Sequence, residues 1–208
     1  MNLTVFGVKP TDAIFLPQSP YQVRNDCQIG QWKVGDDDFR GNSIDVSIVR
    51  VSRMFGTLGK TINAQWLQIW FIPAPGEEKL PADTICVTYI KTRSINSFAQ
   101  KITELMSGGE PALGVFTAYF EKHSGELGTY YSVDWNWRER NTDAEKAQLE
   151  KIAQFLQAKP SLIDISNSAL LCTDGMTSEE IQMLVNSARA EAEEEIKPKT
   201  NGGKLARK

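Results

Sequence analysis

Cysteine is scarce in this chain of 208 residues, and histidine is scarcer: three of the first, one of the second. Cys27, Cys86 and Cys172 are widely spaced and odd in number. They form no paired metal-ligand spacing, and they fit a reducing compartment in which small thiols pack into a core. His123 stands beside Ser124 and Gly125 in a turn-like stretch, where a lone histidine is ordinarily solvated. Long apolar runs are absent too. No stretch approaches the ~20 residues that a membrane-spanning helix needs. The start Met1-Asn2-Leu3-Thr4 lacks the basic and apolar regions of a signal peptide, so a cytoplasmic location is expected. There is no excess of positive charge either, the net charge being −3. That excludes a globally basic nucleic-acid binder but leaves room for a local basic patch.

Catalytic and cofactor motifs are missing as well. Gly56-Thr57-Leu58-Gly59-Lys60-Thr61 ends like a phosphate-binding loop, but Met54 occupies the place of its first glycine and a strand pattern follows instead of a helix. Asp36-Asp37-Asp38 lacks calcium-loop spacing and reads as a solvated turn. No nucleophile elbow or nucleotide-binding glycine run occurs. The expectation is therefore a non-enzyme with no cofactor, no metal and no membrane association.

What is present is an ordinary globular composition, 41% apolar and 24% charged, sized for one domain with appendages. Residues 1–27 hold Pro10, Pro17 and Pro20 without a clear period and read as an irregular arm. Strand patterns follow at Gln28–Val34 and Ile44–Arg53. In the second, Ile44, Val46 and Ile48 share a face before Val49 and Val51 take over, a change of phase that predicts a bulge. Gly56–Lys60 reads as a loop, and Ile62–Ile72 and Thr84–Lys91 as strands, the latter burying Ile85, Val87 and Tyr89. Ser94 is placed to cap a helix whose stripe is Ile95, Phe98, Ala99, Ile102, Leu105 and Met106, stopped by Gly108-Gly109 and Pro111. Leu113–Glu121 and Thr129–Arg138 form a hairpin about Lys122–Gly128, with Tyr131, Val133, Trp135 and Trp137 on one face. Capping boxes at Thr142–Glu145 and Thr177–Glu180 open two helices. Leu149, Ile152, Ala153 and Leu156 form the stripe of the first, and Ile181, Leu184, Val185 and Ala188 that of the second. Residues 28–140 thus form the domain proper, 141–195 the helices that pack on it or on a partner, and 196–208 a basic tail expected to be disordered.

The strand Gln65–Phe71 is unusual. Leu67, Ile69 and Phe71 make an ordinary buried face, whereas Trp66, Gln68 and Trp70 fall on the face expected to meet water. Exposed indoles suggest a surface built to bind, the alternative being that the N-terminal arm or the last helix covers them and makes them core.

The order of elements from 44 to 138 is three strands, a helix, then two strands, the first strand long and bulged. This order resembles the OB-fold, and the fold class expected is mainly β with appended α: a five-stranded Greek-key barrel plus C-terminal helices. In that fold the second and third strands commonly carry the ligand, so the chain looks like the single-stranded-DNA-binding proteins of phages, plasmids and bacterial replication systems. The resemblance implies low-specificity binding of single-stranded DNA, or of RNA. Bases would stack on Trp66 and Trp70 beside Gln68, and Arg50, Arg53, Lys60, Lys91 and Arg93 would neutralise phosphates. Tyr119, Tyr130 and Arg138 would extend the surface across the last hairpin. The chain departs from the family in its end, where the acids Glu191–Glu195 are followed by Lys197, Lys199, Lys204, Arg207 and Lys208 instead of closing an acidic tail. Two rival readings use the same aromatics. One is a protein-interaction or assembly module forming homo-oligomers through the sheet or the C-terminal helix. The other is a carbohydrate-binding module.

Overall fold

The computed structural model describes residues 13–126, 128–162 and 169–196. Its elements run β1 (Tyr21–Gln22), β2 (Arg24–Asp26), β3 (Gln31–Val34), β4 (Asp38–Phe39), β5 (Ser43–Leu58), β6 (Thr61–Pro73), β7 (Cys86–Lys91), α1 (Arg93–Met106), β8 (Val115–Gly125), β9 (Gly128–Arg138), α2 (Asp143–Ala158), β10 (Leu170–Cys172) and α3 (Ser178–Ile196). The chain is mainly β, with a mixed seven-stranded sheet and C-terminal helices. The sheet is ordered β1-β7-β6-β5-β8-β9, with β10 on β5, and β2-β3-β4 form a small second sheet.

The long strand β5 organises the sheet. One edge pairs β6 along nearly its whole length. The other edge pairs β8 through Ser43–Val46 and β10 through Met54–Gly56. The bulge expected from the sequence lies between Ile48 and Arg50. It divides the apolar residues differently from the reading above. Val51 rejoins the core of Ile44, Val46 and Ile48, while Val49 packs with Met54 on the opposite face. The extra residue in a bulge restores the earlier phase one position later.

Among the described residues no ladder joins β7 to β9, so the sheet is not closed into a barrel. Other groups meet the free edge of β9. The Tyr131 N–H donates to the Cys27 carbonyl at 2.8 Å, and the Val133 N–H donates to Ser94 Oγ at 2.9 Å. Ser94 therefore does not cap α1. Thr92 holds the N-cap position, at φ 50° and without a side-chain cap bond, while Ser94 satisfies a strand N–H that would otherwise be buried unpaired.

Both faces of β6 are covered. Leu67, Ile69 and Phe71 pack into a core with Trp32, Phe98, Phe116 and Trp135, the rings of Phe98 and Trp135 meeting edge to face at 5.0 Å. On the other side Trp66, Trp70 and Ile72 join Val87 and Tyr89 in a second core, closed by Ile14, Ile152 and Leu162. Trp66, Gln68 and Trp70 are only 7%, 0% and 2% exposed, so the water-facing surface expected of them is an interior. The chain itself supplies the cover, through the segment holding Ile14 and through α2.

The arm also carries more structure than the sequence suggested. Within the described part of residues 1–27, β1 runs parallel to the outer edge of β7, Phe15 bridges Thr84, and β2 pairs β3. These pairings satisfy an edge that a central strand such as β7 would otherwise leave open. Residues 197–208, read as a disordered tail, lie outside the described residues.

Polar contacts fix α2. Its capping box is complete, Thr142 Oγ1 accepting from the Glu145 N–H and Glu145 Oε2 from the Thr142 N–H. Gln148 Nε2 donates to the Pro73 carbonyl at 2.9 Å, and Gln148 Oε1 accepts from the Ser47 hydroxyl at 2.6 Å. Arg140, buried beneath the helix, donates to the carbonyls of Leu113, Gly114 and Glu145 and to Ser47 Oγ. The apolar stripe of α2 runs through Ile152, Phe155 and Leu156, while Ala153, expected inside, is exposed. The second capping box, at Thr177 and Glu180, is likewise formed.

Candidate functional site

The residues expected to bind separate into four groups. The first is interior. The Trp70 indole N–H donates to Gln68 Oε1 at 2.8 Å, and Gln68 Nε2 donates to the Tyr89 hydroxyl at 2.9 Å. Trp66 donates to the Gly56 carbonyl at 3.1 Å, and Lys91 Nζ lies 5.5 Å from the centre of its ring. Neither indole presents a free face on which a base could stack.

The second group is held in ion pairs. Arg50 reaches Ser52 Oγ at 3.1 Å and Asp174 at 3.7 Å. Arg138 donates to Glu145 at 2.7 Å and lies 3.7 Å from Asp45. The Arg138 guanidinium holds the Glu145 carboxyl down to about 2, helped by the Asn141 and Thr142 N–H groups. Arg50 and Arg138 thus tie the C-terminal segments to the sheet and are not free for phosphates.

Tyr119 and Tyr130 belong to the last hairpin and lie apart from these. Tyr130 is exposed, its ring 5.2 Å from that of His123. Tyr119 is half-buried and lines a polar cleft of about 490 Å³ between α1 and the β8–β9 hairpin, shared by Arg93, Lys101, Glu104, Glu121 and Asp134. Acids and bases are mixed there, and Asp134 already accepts the Ser97 hydroxyl and the Trp135 N–H.

The fourth group shares one end of the sheet, with Lys91 on the face of Trp66 and Arg53 on the face of Leu67. The register sets Lys91 opposite Trp66 and Arg53 opposite Leu67, and the tight turn between β5 and β6 carries Lys60. Lys91 Nζ donates to Thr61 Oγ1 at 2.6 Å, which brings the end of β7 against that turn. Arg93 begins α1 two residues later. All four are exposed, and among the described residues Arg53, Lys60 and Arg93 have no ion-pair partner. The strained φ of Thr92 falls between Lys91 and Arg93, where β7 turns into the helix. Such conformations persist only where surrounding contacts impose them.

Beside Arg53 the first core is incomplete. A groove of about 380 Å³ runs between α1 and the β5–β6 ladder, walled by Val51, Leu67, Ile95, Phe98 and Ile102, with Ile181 of α3 at one side. The sequence reading missed it. The helical period marks Ile95 and Ile102 as core, and nothing in that period tells that the sheet leaves them only half-covered.

His123 differs from its expected place in a solvated turn. It sits on β8, mostly covered, with Nε2 2.7 Å from Ser132 Oγ and 3.7 Å from Glu121. Both partners meet the same ring nitrogen, and Ser132 is only 3% exposed. A nucleophile needs access and a base oriented from its far nitrogen, and this pair has neither. Burial pushes the Cys27 and Cys86 thiols upward, away from reactive thiolate. Asp36 and Asp38 of the acidic turn pair with Arg24 and Arg40.

No known protein family, curated protein or solved structure matches the chain. Among the described residues no helix is long and apolar enough to cross a membrane.

Proposed function

We propose that the chain binds single-stranded nucleic acid, DNA in preference to RNA, with little sequence preference and without catalysing a reaction. The observation that carries this reading is the gathering of Arg53, Lys60, Lys91 and Arg93 at one end of β5, β6 and β7, three of them without an ion-pair partner among the described residues. Cations left unpaired in a net-acidic chain make a local attraction for phosphates. The strand order adds support. β5 pairs both β6 and β8, α1 lies between β7 and β8, and β8 and β9 form the last hairpin, an arrangement like the OB-fold with contacts from α1 and from the turn after β2 in place of its closing ladder.

The mechanism differs from stacking on Trp66 and Trp70, which are committed to the second core. Phosphate neutralisation is the main term, and Tyr130 is the exposed ring among the residues first expected to bind. The test is fluorescence polarisation of a labelled oligo(dT) at several salt concentrations. Binding at low salt is expected, with log affinity falling by about 0.7 per phosphate contact for each unit of log salt. Arg53→Ala, Lys60→Ala and Arg93→Ala combined should flatten that slope by about 2. No binding at low salt refutes the proposal.

A second reading, self-association through α3, is favoured by a separate observation. Ile181, Leu184 and Val185 are only half-covered, and Met183 and Leu171 are exposed nearby in sequence and fold. Sedimentation over a range of protein concentrations tests it, a constant monomer mass being the adverse result.

A further inference from the structure

We infer that the groove beside Arg53 seats one unpaired nucleobase of the bound strand. The inference rests on the nucleic-acid reading above and gives that reading the base contact which Trp66 and Trp70 do not supply.

The groove exists because β5 runs past its partners. β8 leaves the strand after Val46, and β10 joins it only at Met54. Over the intervening residues α1 lies above the sheet without closing on it, so Val51, Ile95 and Ile102 remain half-covered at the rim of the first core. The resulting space, about 380 Å³, falls within the ~300–1,000 Å³ usual for sites that hold a small organic group.

Two features of the lining select the occupant. Its walls are apolar on opposite sides, Ile95, Phe98 and Ile102 from the helix and Val51 and Leu67 from the sheet. Such walls suit a flat ring with two apolar faces. Its mouth is polar: Arg53 and Gln65 are exposed there, and the Thr103 hydroxyl, which donates to the Ala99 carbonyl at 2.9 Å, keeps its acceptor capacity. A ring with hydrogen-bonding edges can use these groups. Arg53 belongs both to the groove and to the cation cluster. An occupant that is an aromatic heterocycle joined to phosphate satisfies the walls, the mouth and the charge together. An apolar peptide side chain would leave the cations unused, and a bare polyanion would leave the walls unused. Charge complementarity therefore favours a nucleotide of a strand whose phosphates meet Arg53 at the groove and continue round the end of the sheet toward Lys60, Lys91 and Arg93.

Met54 and Trp66 of the second core border the groove, but none of its described lining residues belongs to α2, so seating a base there requires nothing of α2 to move. It also explains why low sequence preference is expected: aliphatic walls accept any base face, and few polar groups read the edge.

The experiment compares oligo(dT) with an all-abasic oligonucleotide of the same length and therefore the same phosphates. Full-length wild-type protein should bind oligo(dT) about tenfold more tightly. Ala99→Trp fills the groove from an exposed position of α1. It should lower oligo(dT) affinity to the abasic level while leaving abasic binding unchanged. Methyl resonances of Ile95, Ile102 and Val51 in the wild type should shift with oligo(dT) and not with the abasic strand, a readout independent of whether the variant folds. Equal affinity for the two strands, or unmoved methyls, overturns the groove assignment while phosphate binding stands. Failure of both strands to bind at low salt overturns the nucleic-acid reading and this inference with it.

Discussion

Trp70→Phe removes one N–H from a place where water cannot replace it. In the native chain the indole donates to Gln68 Oε1 at 2.8 Å, and the other end of that amide donates to Tyr89. Gln68 is fully buried. Phenylalanine keeps an aromatic ring against Ile152 and Leu162 but leaves the amide oxygen without its donor, at a cost of about 1–3 kcal/mol. The smaller ring adds a void worth about 1 kcal/mol. The sum, roughly 2–4 kcal/mol, is a large part of the ~5–15 kcal/mol that stabilises a domain of this kind. In urea the midpoint should fall by about 1–2 M, given a slope of ~1–3 kcal/mol per molar. Gln68→Met made in the Trp70→Phe background removes the orphaned acceptor, so the two losses should be less than additive by about 1 kcal/mol. Oligo(dT) affinity, measured on the folded fraction, should not change. The reasoning is refuted if Trp70→Phe leaves the urea midpoint where it was and weakens oligonucleotide binding instead, since the indole would then be a surface ring.

Three other contacts give further outcomes. Glu145 is held near pKa 2 by Arg138, below its ordinary 4.5. Its depressed folded pKa contributes stability that is fully present above about pH 4.5 and is lost as pH falls through the interval from 4.5 to 2. Discounted for the solvent that reaches Arg138, this is about 1–2 kcal/mol, and Glu145→Gln should flatten the acid limb of a stability–pH curve in that window. At Gly56 a Cβ would stand 2.0 Å from the Ala169 carbonyl at a φ of +146°, so Gly56→Ala should detach β10, seen as accelerated hydrogen exchange over 54–56 and 170–172. Arg140→Met leaves three carbonyls and the Ser47 hydroxyl without their donor and should cost about 3–5 kcal/mol by thermal or urea unfolding.

Strand positions were legible because alternation and turn residues are local signals. The bulge in β5, the hairpin of β8 and β9 and both capping boxes follow from residues within a few positions of one another. What covers a strand is a long-range fact. Trp66, Gln68 and Trp70 read as an outer face because one amide interrupted two rings. Yet a strand apolar on both faces belongs between two layers, and a single glutamine fits there when its neighbours satisfy it. The cover comes from Ile14, Ile152 and Leu162, each more than fifty residues from Trp66 or from Trp70, the rings they enclose. Gly56 was a local signal of such a distant approach, because glycine inside a strand often marks another backbone passing close. Placing it in a loop hid β10. The cations show the same division. Nothing in the neighbouring sequence distinguishes Arg50 and Arg138 from Arg53 and Arg93. They differ because Asp174 and Glu145 pair with the guanidinium groups of the first two, whereas among the described residues no carboxylate pairs with those of the second two, Asp174 accepting only the backbone N–H of Arg53. Charge on a strand therefore indicates binding only after intramolecular partners have been subtracted. Among the cations first expected to bind, the subtraction leaves Arg53, Lys60 and Arg93 at the end of the β5–β6 hairpin, beside an open groove in the first core.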